Sequence, residues 1–237
     1  MMRGLPFVFV AVSLGIMACR SDSRGRPSAD TTSATASAAP SGHDTAAGAV
    51  PASIEAIGAH GEDTYDYVKL GDWAKARATA DSLRPAIDSV PASATTDNAS
   101  RADVATAFAE LDRAISAKDR TAALRASNRL TELGARLSAA YHPQVPPDVT
   151  LLDYFGREIE LGAAVRDTAG LRQTVVALRH TWDAVRPQVV ARGGAGEARR
   201  FDAIVARVEA AKTPEEYVRT AKPLLDAVDT LELVFTR

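Results

Sequence analysis

The 237-residue sequence carries one cysteine, Cys19, so it forms no disulfide within itself, and the paired-cysteine patterns of zinc, iron–sulfur and c-type haem sites are missing. All 3 methionines lie at or before Met17, which excludes methionine-ligated haem and methionine-rich copper sites from the remainder. No Glu-x-x-His occurs, so the di-iron arrangement of carboxylate bundles is absent. Neither Gly-x-Ser-x-Gly nor Ser-x-x-Lys is present, and Gly193-Gly194-Ala195-Gly196 lacks the Lys-Ser/Thr of a phosphate loop and reads as a turn. Neither sign of charge dominates. Residues 51–237 hold 24 Lys or Arg against 27 Asp or Glu, which gives no electrostatic footprint for nucleic acid. Catalysis is therefore the least supported class, and no cofactor is expected.

What is present begins at the amino terminus. Arg3 precedes an apolar run of 13 residues from Leu5 to Met17, closed by Ile16-Met17-Ala18-Cys19. The run is too short for a hydrocarbon core about 30 Å thick, and its flanks suit a cleaved export signal. At this box the chain resembles the bacterial lipoprotein family. The resemblance covers residues 1–19 and implies that residues 1–18 are a signal peptide and that Cys19 carries the acyl chains. It also implies a protein anchored to a membrane of the bacterial cell envelope and facing the periplasm. Arg20 stands where aspartate would retain an enteric lipoprotein at the inner membrane, so the outer membrane is favoured.

From Arg20 to Val50, 23 of 31 residues are Ser, Thr, Ala, Gly or Pro. Such a segment buries too little apolar surface to offset its ordering entropy. Residues 19–50 are expected to be a lipidated cysteine followed by a flexible tether with a reach of roughly 30 Å. His43 lies in this tether and is given no role.

Residues 51–237 repeat apolar side chains at spacings of three and four, with no run of strict alternation, which predicts an all-α domain. Breaking points divide it into about eight antiparallel helices, near 53–69, 72–90, 98–117, 120–141, 148–166, 168–191, 196–211 and 214–235. Leu171, Val175, Leu178, Trp182, Val185 and Val189 form one narrow stripe, and Tyr217, Ala221, Leu224, Val228, Leu231 and Phe235 form another. Asp72, Asp119, Asp167 and Thr213 stand at tight turns separated by 47, 48 and 46 residues, each with a helix-capping side chain. Eleven residues past each stands a leucine, Leu83, Leu130, Leu178 or Leu224. The pattern reads as four helical hairpins, forming one elongated bundle or two four-helix lobes, 51–142 and 147–237, divided at His142-Pro143-Gln144-Val145-Pro146-Pro147. Pro85, Pro187 and Pro223 fall inside second helices and are expected to kink or end them.

Asp148 to Val165 is the most unusual stretch, with Leu151, Leu152, Tyr154, Phe155, Ile159, Leu161 and Val165 within about half of a helical wheel and Glu158 pointing into the middle of that face. A carboxylate there requires a partner or a proton, and an arginine from a neighbouring helix is the expected partner. Asp153 and Arg157 read as a surface pair on the opposite side. Leu152 to Glu158, with His142-Pro143 before it, is similar to segments of uncharacterised exported helical proteins, a likeness that implies no activity. Tyr141, Tyr154, Phe155 and Glu158 are the candidates for a groove that receives a ligand or an envelope protein partner.

Metal binding is the second hypothesis. His60 with Asp63 and His180 with Asp183 each place an imidazole and a carboxylate three residues apart, a donor set suited to a divalent transition metal. Exported imelysin-like helical proteins have a similar His-x-x-Glu pattern, and here the acid is aspartate in both places. The sequence thus reads as a lipid-anchored envelope helical bundle that binds a partner protein or small ligand without catalysis. The alternative is a metal-binding or metal-delivery protein.

Overall fold

The computed structural model of the chain describes residues 49–96 and 99–237; the expected signal peptide, Cys19 and nearly all of the expected tether lie outside the described residues. Among the described residues are eight α-helices: α1 (Ala52–Leu70), α2 (Trp73–Asp88), α3 (Arg101–Ala117), α4 (Arg120–Ser138), α5 (Pro147–Ala164), α6 (Thr168–Ala191), α7 (Ala195–Ala210) and α8 (Pro214–Thr236). A short 3-10 turn, Ala139–Tyr141, follows α4. The domain is the all-α helical bundle that the periodicity predicts.

Each hairpin turn has a local cause. Asp72, Asp119 and Asp167 accept hydrogen bonds from the backbone N–H groups of Lys75, Ala122 and Gly170, at 3.1, 3.1 and 2.9 Å. They satisfy donors that the first helical turn leaves orphaned. Thr213 caps α8 in a reciprocal box with Glu216. Gly71, Lys118 and Arg166, just before the three aspartates, have φ of 77°, 52° and 57°. In each case the aspartate N–H reaches back to a carbonyl in the last turn of the helix before, on Tyr67, Ala114 or Gly162. Three of the four turns are therefore one structure used three times.

The leucines eleven residues on, Leu83, Leu130, Leu178 and Leu224, are each 0% exposed. They lie in two cores. One is enclosed by α1–α4 with Leu161 of α5; the other by α5–α8 with Ala135 of α4. Helices α4 and α5 lie against each other between the cores and carry the most buried residues of the eight. Crossing of α1 and α4 is close because Gly134 lacks a side chain: a Cβ there would stand 2.8 Å from the backbone nitrogen of Gly58. Gly156 of α5 is likewise covered by Leu225 and Leu224 of α8. Trp182 is fully buried, with its ring 4.5 Å from that of Phe201 and its Nε1 donating to Asp202 at 2.8 Å.

Pro85 stands three residues before the end of α2 at Asp88, whereas Pro187 and Pro223 do not end their helices. Helix α6 continues to Ala191 past Pro187, and α8 continues to Thr236 past Pro223. The apolar stripes on either side of each proline stay in register with the second core, and that packing outweighs one lost backbone hydrogen bond.

Candidate functional site

Helix α5 positions three of the four groove candidates, and neighbours cover it nearly all round. Its Leu152–Gly156 side meets α8, its Tyr154–Glu158 side meets α4, and its Leu151–Phe155 side faces α6. The four groove candidates are consequently not gathered in one groove. Tyr141 packs on the first core and Tyr154 on the second, and the Tyr154 and Phe155 rings meet edge to face at 5.1 Å. Glu158 accepts from Asn128 Nδ2 at 2.7 Å, so its close partner is an amide rather than an arginine. Burial pushes its carboxyl upward, and Asn128 opposes this. Beside it, the buried Glu132 is held between Arg129 and Arg136, the latter at 2.8 Å.

The histidine pairs lie on different helices. His60 Nδ1 is 4.0 Å from the Asp63 carboxylate on α1. His180 is exposed on α6, and Asp183 pairs with Arg179 at 3.4 Å. Among the described residues no group of three His, Cys, Asp or Glu side chains is arranged to hold a metal ion. His142 occupies the loop before α5 with φ of 53°.

Asp153 and Arg157 are not a surface pair. Their side chains are 12% and 10% exposed and meet at 3.0 Å where α5 faces α1 and α8. The register places them opposite the Phe155 side, but α8 and α1 close over that side as well. Around the pair stand Glu62 and Asp66 of α1 and Asp229 and Glu232 of α8. Burial pushes Glu62 up to about 8, Glu232 up to about 7 and Asp153 up to about 6. The neighbouring carboxylates add to each rise, and Arg157 opposes it. Asp229 is raised for the same reasons. Arg157 also lies over the Tyr65 ring at 5.2 Å, and Tyr65 donates to Glu160, which Lys69 holds at 2.6 Å. Four carboxylates, Glu62, Asp153, Asp229 and Glu232, thus lie within electrostatic reach of the one Arg157 guanidinium.

Two of the hollows on the bundle surface lie along α6. One hollow of about 830 Å³ runs between α5 and α6, lined by Leu151, Phe155, Val176, Ala177 and His180, with Arg136 at its edge. A second, of about 460 Å³, lies between α6 and the turn from α7 to α8, lined by Val175, Val176, Ala211, Tyr217, Arg172 and Lys212 among others. The two share Arg172 and Val176, and Val176 is 70% exposed. Sequence reasoning missed this surface except at Phe155 and His180. Its one signal was Val176, an apolar residue outside the stripe of Leu171, Val175 and Leu178.

A comparison of the chain with known protein families, with curated proteins and with solved structures finds no match.

Proposed function

We propose that the chain is a lipid-anchored helical binding protein of the bacterial envelope that holds a small ligand without transforming it. The two adjoining hollows on α6 carry this reading. Their volumes fall within the range of small-molecule sites, and they combine aliphatic and aromatic walls with a few cationic groups. Val176 lines both hollows, so a ligand in either would cover it. The bundle supplies a rigid frame for the site, since the stripe beside it, Leu171, Leu178 and Trp182, is fully buried. The lipobox supports attachment through Cys19, and the low-complexity segment supports a tether that lets the domain stand away from the bilayer.

The test is native mass spectrometry of the full chain extracted from the membrane of a bacterial host. The expected result is an acylated protein carrying additional non-covalent mass, with that mass lost in Val176→Glu and the acyl mass lost in Cys19→Ser. A bound mass unaffected by Val176→Glu places the ligand elsewhere, and a chain that carries no acyl mass at Cys19 overturns the anchor.

A further inference from the structure

The smaller hollow has a chemical bias. Tyr217 forms part of its wall with its ring buried, and its hydroxyl, which is open to solvent, makes no hydrogen bond among the described residues. Arg179 and Glu209 neutralise each other through two hydrogen bonds of 2.8 Å, so neither charge is left over for a ligand. Arg172 forms no ion pair among the described residues, and the Lys212 ammonium donates to the Glu209 carbonyl oxygen at 3.3 Å without meeting a carboxylate. Two positive charges and a hydroxyl donor thus border a hollow whose other walls are Val175, Val176, Ala211, Thr168 and the mutually neutralised Arg179–Glu209 pair.

We infer that this hollow binds a small organic acid, a carboxylate joined to an apolar body. The inference rests on the small-ligand reading above and names the class of ligand. Arg172 offers a planar fork that matches a carboxylate with two parallel hydrogen bonds, Lys212 adds a point charge, and the Tyr217 hydroxyl donates to the same oxygens. The apolar body lies on Val175 and Val176. From there it has a route toward Leu151 and Phe155, because the two hollows share Val176. A metal cation is disfavoured by the same positive charge, and two cations are too few for a polyanion such as nucleic acid.

The test is isothermal titration of the chain from position 19 onward carrying Cys19→Ser, which removes the apolar export run and the acylation site and with them the need for detergent. The probes are octanoate and its neutral counterpart octanamide. Octanoate is expected to bind about tenfold tighter or more, as charge-assisted hydrogen bonds warrant. That preference is expected to vanish in the double variant Arg172→Gln with Lys212→Gln, and Tyr217→Phe is expected to weaken octanoate several-fold with Tm unchanged. Equal binding of both probes, lost in Val176→Glu, overturns the acid class while leaving the hollow as a ligand site. Octanoate binding that is absent, or indifferent to the double variant, overturns the inference outright; the mass measurement on membrane-extracted protein then judges the small-ligand reading separately.

Discussion

The Asp153 carboxylate lies 3.0 Å from the Arg157 guanidinium, one turn apart on α5, and both side chains are about nine-tenths buried. Surface pairs at this spacing contribute a few tenths of a kcal/mol, but here removal of one partner leaves the other desolvated. Arg157→Met is expected to destabilise the bundle by about 3 kcal/mol, whereas Asp153→Leu combined with Arg157→Met costs less than the sum of the single changes. Urea unfolding of the three variants measures this, and strictly additive losses count against a coupled buried pair.

The surrounding acids make stability depend on pH in an unusual direction. Glu62, Glu232 and Asp153 have folded-state values of about 8, 7 and 6, above their ordinary values of 4.5, 4.5 and 3.8. The folded chain therefore holds these protons more tightly than the unfolded chain does. Their contribution is fully present below the ordinary carboxylate range and is lost as pH rises through about 6 to 8. Carboxylates held low by partners, such as Asp202 and Glu209, titrate below this window and leave the sign unchanged within it. Tm is expected to be lower at pH 8.5 than at pH 5.5, with a flatter profile in Glu62→Gln. Scanning calorimetry across that range decides it, and a Tm that rises with pH contradicts the assignment.

Two hairpin turns carry a side chain where glycine fits best. Lys118 and Arg166 adopt the left-handed conformation that Gly71 occupies at the equivalent turn. The Cβ penalty there is roughly 1 kcal/mol. Lys118→Gly is expected to stabilise the protein by up to about 1 kcal/mol, and Gly71→Ala to destabilise it by a similar amount. Chemical denaturation at fixed pH gives both values, and changes of the opposite sign would show that the turns relax in another way.

Two helical glycines differ in what surrounds them. A Cβ on Gly134 meets the Gly58 backbone at 2.8 Å, and main chain has no other rotamer to adopt. On Gly156 it meets the Leu225 Cδ2 at 2.6 Å, the movable end of a side chain. Gly134→Ala is expected to cost about 1–3 kcal/mol by forcing α1 from α4. Gly156→Ala is expected to be close to neutral, because the gain of about 1 kcal/mol in helix propensity offsets the shift of Leu225. The difference between the two unfolding free energies is the test.

Much of the bundle was legible because its signals are local. Helix periodicity and capping side chains act within one turn of chain, so Asp72, Asp119, Asp167 and Thr213 marked the starts of α2, α4, α6 and α8 directly. Whether a proline ends its helix was not legible, because that depends on what grips the helix on either side. Glu158 was rightly singled out as a carboxylate needing a partner, but its partner Asn128 lies 30 positions away in α4. Tyr217 and Lys212 were invisible as site residues for the same reason: nothing near them in the chain places Arg172 opposite.

By itself the sequence determined the helical class, the turns, the buried stripes and an amino-terminal box resembling that of lipoproteins, all of which follow from spacings shorter than a few helical turns. Only the tertiary structure decided that Asp153 and Arg157 are buried and that Arg172, Val176, Lys212 and Tyr217 border common space. Exposure and charge pairing depend on which helix arrives on the remaining side, and that is set by the packing of whole helices rather than by any single stretch of chain.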